Sequence, residues 1–343
     1  KEIEILDEKE ASIDNNIKIT LDIELQKYIQ DVFTGKSGAV VVMNANNGEV
    51  LASASFPEFD NNIFVRGISV KEWNEMRNDF NHPFTNKIIN GLYPPGSVIK
   101  MGVALSFLEN GIPDDFSVNC SGSLTIGNRN FRCWKSTGHG SVNFRKAIAE
   151  SCDDFFYKGS LKLGINKISQ TLGKLGFGES TGIDQINEFV GVNPNKEWKE
   201  KKYKEPWYVG ETVITSIGQG NMLVTPLQIA RYTGYLATGK LPKPHFYKAN
   251  YEEPKELDIP SKYLDIMRKG MYDVSYSPKG TANKHINSKI TIASKTGTAQ
   301  VVSIPQSEKV RMKESELQYY ERSHAWITSY GPFENPQYVV TII

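Results

Sequence analysis

The sequence predicts one α+β domain around an antiparallel sheet that both ends of the chain complete. Three observations predict it: a β-hairpin near the start, a long and mostly helical middle, and three strand-like runs at the end. Strands and helices segregated in this way fit a single sheet flanked by helices. With 343 residues the chain is long enough for a substantial core. Its composition, 39% hydrophobic and 23% charged, is that of a globular protein rather than a disordered one. Forty Lys plus Arg against 39 Asp plus Glu leave a net charge of +1, without the basic surplus a general nucleic-acid binder needs, so no nucleic-acid partner is expected. No apolar run approaches the roughly 18 residues of a membrane span.

Along the chain, Lys1 to Asn16 is charged and aperiodic and reads as an incoming linker, with the domain proper running from 17 to 343. Ile17 to Leu21 alternates like a strand, and Leu21 to Phe33 carries helical spacing, with Ile29 and Phe33 four apart. The β-branched run Ala39 to Met43, the turn Asn46-Asn47-Gly48 and the run Glu49 to Ser55 form a hairpin. Asp60 to Leu92 is polar and reads as irregular. After Pro94-Pro95-Gly96, a helix with Ile99, Val103 and Phe107 on one face ends at Asn110-Gly111. Asn143 to Glu150 is a short helix. Thr225-Pro226-Leu227-Gln228 supplies an N-cap, a proline at the first helical position and a capping box. Ile290 to Val302, Ala325 to Tyr330 and Tyr338 to Ile343 read as strands.

Ser97 and Lys100 are three apart, so a helix places both on one face with Ser97 near the positive end of its dipole. Downstream come Ser151-Cys152-Asp153 and then Lys295-Thr296-Gly297-Thr298, in the order a serine acyl-enzyme requires. Gly297 would let a substrate backbone approach the strand, and Lys295 would offer a cation to a carboxylate. Lys36-Ser37-Gly38 has a similar pattern but precedes the nucleophile and reads as strand entry.

Together with Tyr93 to Lys100, Gly138-His139-Gly140, Ser216 to Gly220 and Gly280-Thr281-Ala282, these motifs run collinearly through nearly the whole chain. The sequence resembles the transpeptidase domain of class B penicillin-binding proteins, and within them the elongation subgroup. The resemblance implies a mixed α/β fold shared with serine β-lactamases, its central antiparallel sheet carrying helices on both faces. It implies a D,D-transpeptidase that cross-links peptidoglycan stem peptides and is acylated by β-lactams. Ser97 would be the nucleophile, Lys100 the general base, and Ser151 a proton relay. Asp153 would orient Lys100 or the substrate, although the family commonly has Asn there. Lys295 with Thr296 and Thr298 would grip the substrate carboxylate, and the backbone N–H groups of Ser97 and Thr298 would form the oxyanion hole. The chemistry needs no cofactor. Implied partners are the RodA glycosyltransferase and the MreC scaffold, and the implied setting is the periplasmic domain of an inner-membrane protein with a single N-terminal anchor. The helix that usually follows the last strand lies beyond Ile343. Two other readings share some motifs: a serine β-lactamase or penicillin-sensing receptor, which needs a base to activate water or none at all, and a non-catalytic peptidoglycan-binding scaffold.

Cys120, Cys133, His139 and Cys152 form a Cys₃His set whose composition suits a tetrahedral structural zinc site. The alternative is a Cys120–Cys133 disulfide with Cys152 as a buried thiol. Some members of the elongation subgroup are similar in carrying a metal here, and zinc is favoured because a disulfide leaves His139 and Cys152 without a reason to be there. Trp134, Trp198 and Trp207 read as packing or groove-lining residues, and Phe155-Phe156-Tyr157 as helix core beneath Ser151.

Overall fold

The computed structural model describes residues 16–33, 37–301 and 317–343; the linker reading, Lys36 and the end of the Ile290–Val302 run fall outside them. Five strands form the main sheet. β1 (Gly38–Asn44) and β2 (Val50–Phe56) are the hairpin near the start. Between them and the other three lie two small antiparallel pairs and one two-residue pair: β3 (Ser117–Cys120) with β6 (Gly140–Asn143), β4 (Ser123–Ile126) with β5 (Arg129–Arg132), and β7 (Lys240–Leu241) with β8 (Lys255–Glu256). β9 (Ala293–Ala299), β10 (His324–Gly331) and β11 (Tyr338–Ile342) complete the sheet in the order β2-β1-β11-β10-β9, antiparallel throughout. The first and last strands in sequence thus meet at its centre, with Val40 opposite Ile342.

Side-chain alternation in β1 explains why helices cover both faces. Val40 and Val42 point to one side, where they pack with Ile29 of α1 (Ile23–Val32). Ala39 and Val41 point to the other side, into the main core with Leu227, Ile229 and Leu236 of α10 (Pro226–Thr238) and Met267 and Met271 of α11 (Ser261–Tyr276). A strand buried on both faces reads as a continuous apolar run, as Ala39 to Met43 does. α10 begins with the anticipated box: Thr225 Oγ1 accepts from the Gln228 N–H and the Gln228 side chain from the Thr225 N–H.

Two expectations fail. Ile17 to Leu21 is no strand; Ile19 makes one bridge to Tyr247, and Ile17 and Ile19 are exposed. The alternation is real, and Thr20 N–H donates to Phe246 O and Lys248 N–H to Lys18 O, but the pairing extends no further than this one bridge. Asp60 to Leu92 is not wholly irregular, since it holds α2 (Asn62–Val65) and α3 (Val70–Arg77). Neither helix has a buried residue, so no apolar stripe advertises them.

The helix after Ser97 also departs from its expected pattern. Gly96–Ile99 is a 3-10 turn, and α4 (Lys100–Glu109) follows directly. Every residue from Lys100 to Leu108 is buried, so α4 is a core helix enclosed all round rather than an amphipathic one. It packs against α5 (Phe144–Ala149), α6 (Asp153–Leu163), α7 (Ile165–Lys174) and α11. Two further helices, α8 (Lys196–Tyr203) and α9 (Val209–Thr215), precede α10.

Candidate active site

Three segments bring the predicted catalytic residues together. The first is the turn carrying Ser97. A 3-10 turn has three residues per turn, so side chains three apart eclipse one another, and Ser97 and Lys100 share a side for that reason. The Lys100 N–H donates to Ser97 O. The turn is clamped by close backbone approaches. Gly96 N–H donates to Gly218 O, and a Cβ on Gly218 would lie 2.2 Å from Gly96 O. Both glycines have positive φ, +55° and +73°. A Cβ on Gly96 would lie 2.9 Å from Thr298 O, which places the start of the turn against β9.

The second segment is the loop between α5 and α6. Ser151 is a non-glycine residue at φ 52°, a left-handed conformation that costs about 1–3 kcal/mol and persists only where its surroundings enforce it. Enforcement is visible: Ser151 O accepts from Lys100 Nζ at 2.9 Å and from Trp134 Nε1 at 3.1 Å. Asp153 opens α6 and divides its carboxylate, with Oδ1 accepting from Lys100 Nζ at 2.6 Å and Oδ2 from Trp134 N–H at 2.9 Å. Phe155, Phe156 and Tyr157 are buried on the same helix, as expected, and Lys100 Nζ stands 5.2 Å from the centre of the Phe156 ring.

The third segment is β9, the edge strand. Lys295 Nζ donates to Ser151 Oγ at 3.0 Å and to Thr296 O at 2.8 Å. Lys100 Nζ reaches the same Ser151 hydroxyl at 3.3 Å, so two fully buried lysines converge on one oxygen. Burial, and then the charge of Lys100, push Lys295 well below the usual lysine range. Thr296 bonds Thr281 through their hydroxyls at 2.6 Å and is partly exposed; Thr298 is exposed.

Two sequence expectations acquire different physical content here. Lys295 was expected to offer a cation to a substrate carboxylate; here it is 0% exposed, with two of the ammonium's three donors engaged, on Ser151 Oγ and Thr296 O. The threonine hydroxyls are the groups on this strand that reach solvent. Gly297 was expected to admit a substrate backbone. Its missing Cβ also makes room for the protein, because that atom would lie 3.1 Å from Val98 Cγ1, 3.2 Å from Pro95 O and 3.2 Å from Trp326 Cβ. Glycine at 297 lets β9 close onto the Ser97 turn.

Cys120, Cys133, His139 and Cys152 converge on one point, all buried, with ligand atoms within 4.8 Å of one another. His139 Nδ1 lies 3.5 Å from both Cys120 Sγ and Cys133 Sγ. All three cysteines are free. The hydrogen bond from the Cys152 thiol pushes Cys133 down to about 2, while the same bond pushes Cys152 up.

Sequence reasoning missed Trp134 as a site residue. It is not packed away: the residue is 61% exposed and its ring N–H is given to backbone carbonyls of Glu150 and Ser151. Gln219, within the Ser216 to Gly220 motif, donates from its Nε2 to Thr298 O at 3.4 Å.

The penicillin binding protein transpeptidase domain family matches residues 38–343. Among curated proteins, the chain is 37% identical to the peptidoglycan D,D-transpeptidase MrdA of Haemophilus influenzae over 100% of its own length and 55% of that protein's. It is 37% identical to MrdA of Escherichia coli over 96% and 54%. Among solved structures, penicillin-binding protein 2 from Helicobacter pylori, in complex with MreC, superposes with a TM-score of 0.91 at 45% identity, covering 100% of this chain and 62% of that one. Penicillin-binding protein 2 from Pseudomonas aeruginosa, in complex with WCK 5153, gives 0.84 at 34% identity, covering 95% and 70%. The chain spans about half the length of the curated relatives it matches. A nucleophile turn clamped to an edge strand, two lysines on one serine, and a family match over nearly every described residue agree, and the chain belongs to the penicillin-binding protein transpeptidase family, with penicillin-binding protein 2 among its relatives.

Proposed function

We propose that this chain carries the acyl-transfer site of a peptidoglycan D,D-transpeptidase serving cell-wall elongation. The observation that carries the reading is the convergence on Ser151 Oγ of Lys295 and of Lys100, which stands one turn after Ser97. Ser97 Oγ attacks the carbonyl of the penultimate D-Ala and its proton passes to Lys100. Ser151 hands a proton to the departing terminal D-Ala, with the neighbouring lysines completing the relay. Backbone N–H groups of Ser97 and Thr298 stabilise the oxyanion, each such donor being worth about 2.7–4 kcal/mol. Thr296 and Thr298 take the terminal carboxylate, and the amine of a second stem peptide resolves the acyl-enzyme. β-Lactams acylate Ser97 by the same route. MreC, which binds the Helicobacter pylori relative, and a RodA-type glycosyltransferase are the proposed partners, on the periplasmic side of the inner membrane.

The Cys₃His cluster fits a structural zinc ion. A tetrahedral zinc with sulfur ligands near 2.3 Å has ligand atoms about 3.8 Å apart, which the observed cluster approaches without rebuilding. Bound there, the ion would supply no chemistry and would tie β3, the loop after β5 and the Ser151 loop together.

Incubating the protein with a labelled penicillin and reading intact mass tests the function. One adduct that persists for minutes, and is absent in Ser97→Ala, is expected. Rapid release of hydrolysed penicillin would replace this reading with the β-lactamase one, and no adduct at all would leave a scaffold.

A further inference from the structure

We propose that Trp134 is a positioning residue of the acyl-transfer site, holding Ser151 and Asp153 in register with Lys100. The inference rests on the transpeptidase reading of Ser97. Packing alone does not hold this indole, for the residue is 61% exposed. Hydrogen bonds do. Its Nε1–H is shared between Glu150 O at 3.0 Å and Ser151 O at 3.1 Å, and its backbone N–H meets Asp153 Oδ2 at 2.9 Å. One residue therefore touches the backbone of the strained serine and the carboxylate that faces the catalytic lysine.

The geometry makes these bonds consequential for Lys100. A carbonyl oxygen has two lone pairs, and those of Ser151 are divided between Lys100 Nζ and the Trp134 indole. Removing the indole leaves the Ser151 carbonyl with Lys100 as its remaining donor, while the N–H of the same peptide stays on Ala147 O at 3.0 Å. Ser151 sits at φ 52°, where a serine relaxes unless restrained, and its hydroxyl bonds both Lys100 and Lys295. Rotation of the peptide would thus move the hydroxyl away from both ammonium groups at once. Trp134 is also well anchored to act as a restraint. It follows Cys133 directly, as Asp153 follows Cys152, so the Trp134–Asp153 bond lies one residue beyond two members of the Cys₃His cluster. The ring also packs edge-on to His139, centroids 5.3 Å apart.

Trp134→Phe keeps an aromatic ring and the backbone N–H and deletes the indole donor together with the pyrrole ring that carries it. Stopped-flow acylation of the whole chain by a fluorescent penicillin separates the pre-covalent dissociation constant from the limiting acylation rate. The limiting rate should fall about three- to tenfold, the value of one neutral hydrogen bond, with the dissociation constant, melting temperature and zinc content unchanged. An unaltered limiting rate would overturn the proposal. So would a loss confined to the dissociation constant, which marks a substrate contact, or a loss that tracks melting temperature or zinc, which marks a purely structural part. If Trp134→Phe does not fold, Trp134→Tyr is measured by the same criteria. An unmodified parent protein that forms no adduct would strike at the transpeptidase reading itself, not at this one.

Discussion

Asp153→Asn is the sharpest single test of the charge arrangement at the second motif, because it changes one atom and nearly no volume. In the resting site, before Lys100 gives up a proton to act as base, both carboxylate oxygens accept from donors: the Lys100 ammonium at 2.6 Å on Oδ1 and the Trp134 N–H at 2.9 Å on Oδ2. An asparagine amide has one oxygen and one NH₂, so whichever way it turns, its NH₂ faces one of the two donors. The variant loses the ion pair and sets donor against donor, in a site where Lys100 is fully buried. Removing one partner of a buried pair costs about 3–5 kcal/mol. Lys100 keeps its bonds to Ser151 O and Oγ, which brings the expected loss to about 2–4 kcal/mol. For 343 residues at about 2.1 cal/mol/K each, the entropy of unfolding is about 0.7 kcal/mol/K, so the melting temperature should drop by about 3–6 °C. Differential scanning fluorimetry reads the shift and penicillin labelling reads the accompanying loss of acylation. A melting temperature within 1 °C of the parent would refute the reasoning, since it would mean that the pair contributes nothing net and that Asn fits both donors.

Lys295→Met should slow acylation alike for β-lactams with and without a carboxylate, because the ammonium is turned inward; a loss confined to carboxylate-bearing reagents would restore the anion-anchor role. The same variant carries a pH signature. Lys295 is held below its unfolded value near 10.4, so the parent binds fewer protons folded than unfolded between the two values, and its contribution to stability is full above ~10.4 and lost as pH falls through the folded value. Parent minus variant melting temperature should therefore rise with pH, and parallel curves would contradict the assignment. Gly218→Ala should cut both folding yield and acylation, since its Cβ would lie 2.2 Å from Gly96 O in the turn that carries Ser97; ordinary labelling kinetics would show that the turn yields easily. Cys152→Ser should remove about one zinc per chain by elemental analysis and lower thermal stability and acylation together; a parent without metal and with Cys120 and Cys133 linked by mass spectrometry would decide for the disulfide.

Legibility in the sequence followed burial. Strands of the main sheet were readable because β1 is apolar on both faces and β2 alternates, so their side chains report what covers them. α10 was readable from its cap, where Thr225 and Gln228 satisfy backbone donors by themselves. α2 and α3 were missed for want of a buried face, yet Ser69 and Glu72 of α3 form a capping box that the spacing does display. Periodicity outweighed capping, and on a surface helix capping is the better guide. The strand expected at Ile17 erred the other way, because alternation says which residues could pair and not whether a neighbour exists.

At the site, chain order identified the motifs and packing decided what each residue does. Lys295 and Gly297 show the limit most plainly. A lysine and a glycine in a strand read as a cation and an open approach for a ligand, because sequence alone treats the strand edge as free. In the fold the Ser97 turn packs on the face of β9: Val98 and Pro95 fill the space above Gly297, and the Lys295 ammonium donates to Ser151 Oγ. Both residues therefore have neighbours within the protein that the sequence does not display. Trp134 fails to announce itself for the complementary reason. Its indole N–H is directed at Glu150 and Ser151, 16 and 17 positions away, and no local pattern of spacing encodes a bond to a backbone carbonyl that distant. What ties it to the site is the loop geometry of the Cys₃His cluster, in which Cys133 and Cys152 come together and so bring the next residues, Trp134 and Asp153, within hydrogen-bonding distance. The Cys₃His set was read in the sequence, and following it one residue further would have exposed the bond, because joining positions 133 and 152 makes neighbours of 134 and 153.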